Sequence, residues 1–241
     1  MIRLVREDRE FLCAPGEELH TDLGVVQVPV EPEPGDTVES HLGEPFEVQA
    51  LRGPDLFEHM ARTGAPMMPR DIGLILGATG ACKGDHILDA GTGTGVLAAY
   101  LGRLGATVDT YEIDTEKVAT ARENMKLAGV TETVSVHCGD ITEAIDALVE
   151  DSDFDVLTLD TEDAPAVVRH APALLAPGGY AAVYSPFIEQ AREIAETARD
   201  VGLDAVRTQE TIQRRMDFDE RGTRPTTRGV GHTGYLTFAR A

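Results

Sequence analysis

Cysteine, lysine and long apolar runs are all scarce in these 241 residues, and each scarcity excludes something. The three cysteines, Cys13, Cys82 and Cys138, are too far apart for a zinc pattern and too few for a disulfide framework. Cys13 and Cys82 read as small apolar fillers. No apolar run is long enough to span a bilayer. The first residues, Met1-Ile2-Arg3-Leu4-Val5-Arg6-Glu7-Asp8, lack the apolar core of a secretory signal, so a cytoplasmic protein is expected. No internal repeat or low-complexity tract is present.

Basic residues are outnumbered two to one: 42 Asp and Glu stand against 21 Lys and Arg, a net charge of −21, and the lysines are only Lys83, Lys117 and Lys126. One reading is an ordinary acidic cytosolic protein. The other, favoured by the lysine shortage, is adaptation to a salt-rich cytosol, where a dense carboxylate surface stays hydrated and keeps the chain soluble. Strong acidity normally argues against nucleic-acid partners. At molar salt the Debye length is about 3 Å, so repulsion of a polyanion fades, as does most counterion-release affinity. Net charge therefore excludes little about partners.

What is present centres on Ile87-Leu88-Asp89-Ala90-Gly91-Thr92-Gly93-Thr94-Gly95-Val96. An apolar run ends in a carboxylate, three glycines alternate with threonines, and a helix-forming segment follows, which reads as strand, tight turn and helix N-terminus. Glycine permits positive φ and close approach of a ligand; a purely structural strand-to-helix turn is the alternative. No Gly-Lys-Ser/Thr follows, which excludes a P-loop, and the glycine spacing departs from the dinucleotide pattern. The next strand, Thr107-Val108-Asp109-Thr110-Tyr111, ends in Glu112, placed about 20 residues on to accept both hydroxyls of a ribose. A third strand ends at Asp140, in His137-Cys138-Gly139-Asp140-Ile141, able to accept from an adenine amino group. Ribose and adenine acceptors without a phosphate clamp suit S-adenosylmethionine better than NAD. On these residues the chain resembles the class I S-adenosylmethionine-dependent methyltransferases, from about Asp71 to the C-terminus.

The expected architecture is α/β: a Rossmann-like doubly wound sheet over residues 61–241, with a small N-terminal β domain over 1–60. In the first part, short apolar runs alternate with Gly and Pro clusters such as Pro32-Glu33-Pro34-Gly35-Asp36. Its role is either that of a substrate-binding accessory domain or simply a cap over the sheet. Asp71 is read as the cap of a helix through Ile72, Leu74, Ile75 and Leu76 toward Gly80. Met67 and Met68 are core filler or line the cofactor pocket. Helices are expected over 114–128, 141–149 and 187–201, and strands over 154–160, 179–184, near 204–213 and over 234–239.

Asp160 ends the fourth strand of this sheet, at the carboxyl edge where open α/β folds place ligands. It is the expected reacting carboxylate; capping the following helix is its alternative role. The ending Arg224-Pro225-Thr226-Thr227-Arg228-Gly229-Val230-Gly231-His232-Thr233-Gly234-Tyr235-Leu236 and the final Ala239-Arg240 closely resemble the C-terminus of the tRNA adenine-N1 methyltransferases that modify adenosine 58 in the T-loop. Pro69-Arg70-Asp71 resembles that family's Tyr-Pro-Lys-Asp. His20-Thr21-Asp22-Leu23-Gly24 and Ser40-His41-Leu42-Gly43 resemble its N-terminal β domain. One departure stands out: where the family often has Asp-Leu-Pro-Asp-Pro-Trp, this chain has Asp160-Thr161-Glu162-Asp163-Ala164-Pro165, without an aromatic.

The resemblance implies methyl transfer from S-adenosylmethionine to N1 of adenosine 58, with adenosine 57 a second candidate target, a tRNA partner, a homotetramer and no metal. Asp160 is the implied catalytic residue. Asp89, Gly91, Thr92, Gly93, Thr94, Gly95, Val96, Glu112, Lys117, Asp140, Ile141 and Asp160 are the implied cofactor-binding residues; for Lys117 a solvated helix position is the alternative. Arg214, Arg215, Arg221, Arg224 and Arg228 form the one dense basic run, for phosphate contacts or for ion pairs with Asp217, Asp219 and Glu220. Tyr184 and His232 are candidates to stack on or bond the base, or equally for structural roles. The rival functions are a methyltransferase acting on a protein carboxylate or a corrin-like small molecule, and a non-catalytic cofactor-binding subunit.

Overall fold

The structure, a computed structural model, describes residues 1–150 and 153–241. Two compact units are present, Met1–Met60 with Leu127–Gly129, and Ala61–Lys126 with Val130–Ala241.

In the first unit, β1 (Ile2–Arg6), β2 (Arg9–Cys13), β3 (Glu18–Thr21), β4 (Gly24–Gln27), β5 (Thr37–Glu39) and β6 (Pro45–Ala50) precede a short helix, α1 (Gly53–His59). Four strands form an antiparallel sheet in the order β2-β1-β6-β5, and β3 pairs with β4. The inward side chains Leu4, Val26, Phe46 and Val48 are fully buried, and the Phe11 ring meets Phe46 edge-on. The two family-like segments interlock. The Ser40 hydroxyl donates to the Leu23 carbonyl and accepts from Leu42 and Glu44 N–H, while Val25 N–H donates to His41 Nδ1.

The second unit runs α2 (Pro69–Thr79), β7 (His86–Ala90), α3 (Val96–Leu104), β8 (Thr107–Glu112), α4 (Thr115–Ala128), β9 (Val134–Cys138), α5 (Ile141–Glu150), β10 (Phe154–Leu159), α6 (Ala164–Val168), α7 (Ala171–Leu174), β11 (Leu175–Ser185), α8 (Ile188–Asp200), β12 (Asp204–Glu210), β13 (Met216–Asp219), β14 (Gly222–Pro225) and β15 (Tyr235–Arg240). Seven strands line up as β12-β15-β11-β10-β7-β8-β9. The pairings among β11, β10, β7, β8 and β9 are parallel, and β15 is antiparallel to both neighbours. The strand order reverses between β10 and β7, so the carboxyl ends of those two strands border the crevice where this architecture takes ligands. Near-continuous apolar runs such as Phe154–Leu159 are what a sheet covered on both faces requires, and Leu88, Leu157 and Leu159 are buried in its core.

Several elements differ from expectation. α2 begins at Pro69, whose missing N–H suits the first helical position, with Met68 as its cap residue. Asp71 therefore does not cap the helix; it lies within the first turn and is buried. β11 starts at Leu175, four residues earlier than the apolar run indicates, through a register shift opposite β10. The hairpin β13–β14 was not anticipated: all eight of its residues are exposed, so no apolar alternation marks it. Cys13 is buried, but Cys82 is exposed beside Asp85.

Candidate active site

The site is built where β7 stops. Asp89, 3 % exposed, accepts hydrogen bonds from the hydroxyls of Thr110 on β8 and Thr158 on β10. Burial pushes its carboxyl well up from the usual range, the two threonines oppose this, and Glu112 adds to it. Gly91 and Thr92 N–H both donate to the Tyr111 carbonyl, at 2.9 and 3.2 Å. Glu112, at the end of β8, accepts from Gly93 N–H at 2.8 Å and from Asp114 N–H at 3.0 Å. The glycine turn is thus held by the end of β8, and the strand end that leads into it by both β8 and β10. Gly91 has φ +88°, and a Cβ there would stand 2.1 Å from the Asp160 carbonyl oxygen. Asp160 N–H in turn donates to the Ala90 carbonyl at 2.8 Å. Only glycine admits this crossing, which seats Asp160 directly over the turn.

Two cavities open beside Asp160. The first is bounded by Asp89, the turn from Gly91 to Thr94, Met67 and Asp160. The second is bounded by Asp160, Thr161, Tyr184, Pro186, Phe187 and Gln190. Asp160 is their common wall. It is exposed to this cleft, with protein on most other sides, and its carboxyl is pushed up to about 7. The cleft's desolvation is the main cause; Asp89 adds to it, Lys117 opposes, and Glu112 adds again. Asp160 is not the cap of α6, whose cap residue is Asp163. A site with three carboxylates and Lys117 as the opposing charge favours a cationic ligand, and the side-chain-free turn at Gly91 and Gly93 leaves room for one.

A second network fixes Tyr184. Its hydroxyl donates to the Thr233 carbonyl at 2.5 Å, and the Thr233 hydroxyl donates to Asp71 Oδ2 at 2.9 Å. Arg70, nearly buried, donates to Thr233 Oγ1 at 3.1 Å and to the Val230 carbonyl at 2.7 Å. Gly234 completes the fit, since a Cβ there would stand 2.6 Å from the Tyr184 ring and hydroxyl. Burial raises the Tyr184 hydroxyl to about 12, with Asp160 and Asp71 adding and Arg70 opposing.

A model of the methyltransferase domain matches residues 82–220. The tRNA (adenine(57)-N(1)/adenine(58)-N(1))-methyltransferase TrmI of Methanocaldococcus jannaschii is 34 % identical over 98 % of this chain and 92 % of its own. The chain belongs to the TrmI methyltransferase family. Among solved structures, an S-adenosylmethionine-dependent O-methyltransferase from Thermotoga maritima superposes with a TM-score of 0.77 at 28 % identity, covering 99 % of this chain and 91 % of that one. The tRNA (m1A58) methyltransferase TrmI of Aquifex aeolicus gives 0.73 at 22 %, covering 99 % and 95 %, a likeness of fold.

In this TrmI-family chain, the structure brings Asp89, Gly91, Thr92, Gly93, Thr94, Val96 and Asp160 around one cavity. Gly95, with φ +82°, caps α3 just behind it. Glu112 reaches the turn through Gly93, and Gly139 N–H donates to the Glu112 carbonyl, which places the end of β9 alongside. There, one Asp140 oxygen caps α5 by accepting from Thr142 N–H and hydroxyl, and Ile141 is buried. Arg214, Arg215, Arg224 and His232 line neither cavity. The arginines of the 214–228 run form no ion pairs among the described residues, so the alternative role, pairing with Asp217, Asp219 and Glu220, is not seen. The His232 ring packs on Tyr235, with Nδ1 2.6 Å from Glu210, away from Asp160's cavities.

Asn124 is the residue that sequence reasoning missed. Buried on α4, it donates to the Thr94 carbonyl at 2.7 Å and exchanges two hydrogen bonds with Ala61, tying the glycine turn to the segment that carries Met67. Its signal was an amide on the apolar face formed by Val118, Ala121, Met125 and Ala128.

Replacing Gly91 by Ala forces a left-handed residue and a main-chain clash with Asp160, together about 2–4 kcal/mol. Denaturant unfolding should register that loss, and calorimetry should show binding of S-adenosylhomocysteine abolished. Wild-type affinity in the variant would contradict the crossing described.

Proposed function

We propose that this chain transfers the methyl group of S-adenosylmethionine to N1 of adenosine 58 in the tRNA T-loop, with adenosine 57 as a second target. The observation that carries this reading is that Asp160 walls both cavities, one cradled by the glycine turn and one open to an acceptor. When bound, S-adenosylmethionine supplies an electrophilic methyl on a sulfonium. Residues 91–96 hold its methionine moiety, Glu112 the ribose with Lys117 at the ribose edge, and Asp140 with the Ile141 amide the adenine. Asp89 lines the same cavity and adds negative charge to it.

The target base leaves its stack at a cost of a few kcal/mol and enters the second cavity. Asp160 accepts a hydrogen bond from the exocyclic N6 amino group, which orients the ring, raises electron density at N1 and stabilises positive charge as it grows there. The N1 lone pair forms the new bond as the carbon–sulfur bond breaks, and the electron pair leaves on a neutral thioether. The Tyr184 hydroxyl takes no part in proton transfer, being engaged by Thr233 and far from titrating near neutrality.

The small β unit serves RNA binding, and the unpaired Arg214, Arg215 and Arg224 serve phosphate contacts. His232 is set aside as a base ligand because Glu210 and Tyr235 occupy it. Ile212, Met216, Phe218 and Val230 expose large apolar surface on the same stretch, which supports self-association into a tetramer. The charge of −21 and three lysines support work in a salt-rich cytoplasm.

Asp160→Ala should lower transfer to a tRNA transcript by roughly 10²–10³-fold while S-adenosylhomocysteine still binds in calorimetry, and a transcript with guanosine at positions 57 and 58 should stay unlabelled. Equal labelling of that transcript would refute the target. The pH profile has a definite sign: the accepting form of Asp160 is the carboxylate. kcat/KM for S-adenosylmethionine, which reports the free enzyme, should therefore fall about tenfold per pH unit below about 7. A profile flat from pH 8 to 5 would contradict the assignment.

A further inference from the structure

Methyl transfer to a ring nitrogen needs the base held flat as well as hydrogen-bonded, and the segment after β10 offers no aromatic side chain: Thr161, Glu162 and Asp163 follow Asp160. The second cavity contains its own aromatic surface. Phe187 is 68 % exposed and lines it, whereas Phe218, 79 % exposed, lies outside it and Phe46, Phe154 and Phe238 are buried. Leaving so much of a phenylalanine in water forgoes most of its burial free energy, which is the condition of a surface awaiting cover. Its backbone is fixed, because Phe187 is the cap residue of α8 and its carbonyl accepts from Ala191 N–H at 3.1 Å. The helix start is tied to the far rim by Gln190 Nε2, which donates to the Thr161 carbonyl at 3.2 Å. Tyr184, the other aromatic in the cavity, is immobilised by Thr233 and offers a wall.

Resting on the function proposed above, we infer that Phe187 is the stacking platform for the flipped adenine, from the shared lining of one cavity by its exposed ring, the fixed Tyr184 and the carboxylate of Asp160. A planar base entering this cavity covers Phe187 while its amino edge reaches Asp160. An adenine is the occupant that fits, since it combines a π-face with the N6 donor that Asp160 requires. Base–aromatic stacking is tolerant of ring identity, so Tyr or Trp at this position preserves the platform and an aliphatic chain does not.

The test uses the full-length protein and a tRNA transcript carrying adenosine at position 58. Phe187→Ala and Phe187→Leu should each lower kcat/KM by about tenfold, Phe187→Tyr and Phe187→Trp should stay within about twofold of wild type, and S-adenosylhomocysteine affinity should be unchanged in all four. Full activity in Phe187→Ala, or activity of Phe187→Leu equal to that of Phe187→Tyr, overturns the stacking role while Asp160→Ala still shows its large loss of transfer. A wild-type protein inert on this transcript overturns the proposed function and the platform with it.

Discussion

Negative charge gathered around a glycine-rich turn is the constraint on which the rest of the site depends. Asp89, Glu112 and Asp160 come from the ends of three adjacent parallel strands, and Lys117 is the cation that opposes them at Asp160. The fold tolerates this because two of the three carboxylates are satisfied internally: Asp89 by two threonine hydroxyls and Glu112 by two backbone amides. Asp160 has its N–H anchored on Ala90 while its carboxylate faces open cleft. It is placed there by the main-chain crossing that only Gly91 permits.

Around this centre, segments far apart in the chain act as one wall. Thr233 receives Arg70, donates to Asp71 and accepts from Tyr184, so the C-terminal strand approach, the start of α2 and the end of β11 are joined by hydrogen bonds through a single residue. The family-like ending is thus explained as architecture. Its Thr-Gly pair lets the Tyr184 ring lie against the backbone and locks its hydroxyl, and the adjacent histidine lies outside both cavities.

The parallel sheet and the carboxylates at its edge were legible in the sequence because apolar runs end in acids at a regular spacing, a pattern local in the chain. What stayed hidden was non-local. An Asp before a helix reads as a cap, yet the partner of Asp71 lies 162 residues away and burial, not the helix terminus, sets its role. Asn124 takes its role from bonds to Thr94 and to Ala61, 30 and 63 residues away, which close the turn from behind. The β13–β14 hairpin carries no alternation because neither face is buried, and Phe187 is distinguished only by its exposure inside a cavity.

The central claim is that a cationic methyl donor sits against Asp160 and relieves its raised pKa. Calorimetry of S-adenosylmethionine and S-adenosylhomocysteine binding at pH 7, in buffers of different ionisation enthalpy, tests it most directly. A sulfonium beside Asp160 lowers a pKa that starts at about 7, so S-adenosylmethionine should release a substantial fraction of a proton on binding, and the neutral thioether distinctly less. Equal proton release for the two ligands would contradict the account.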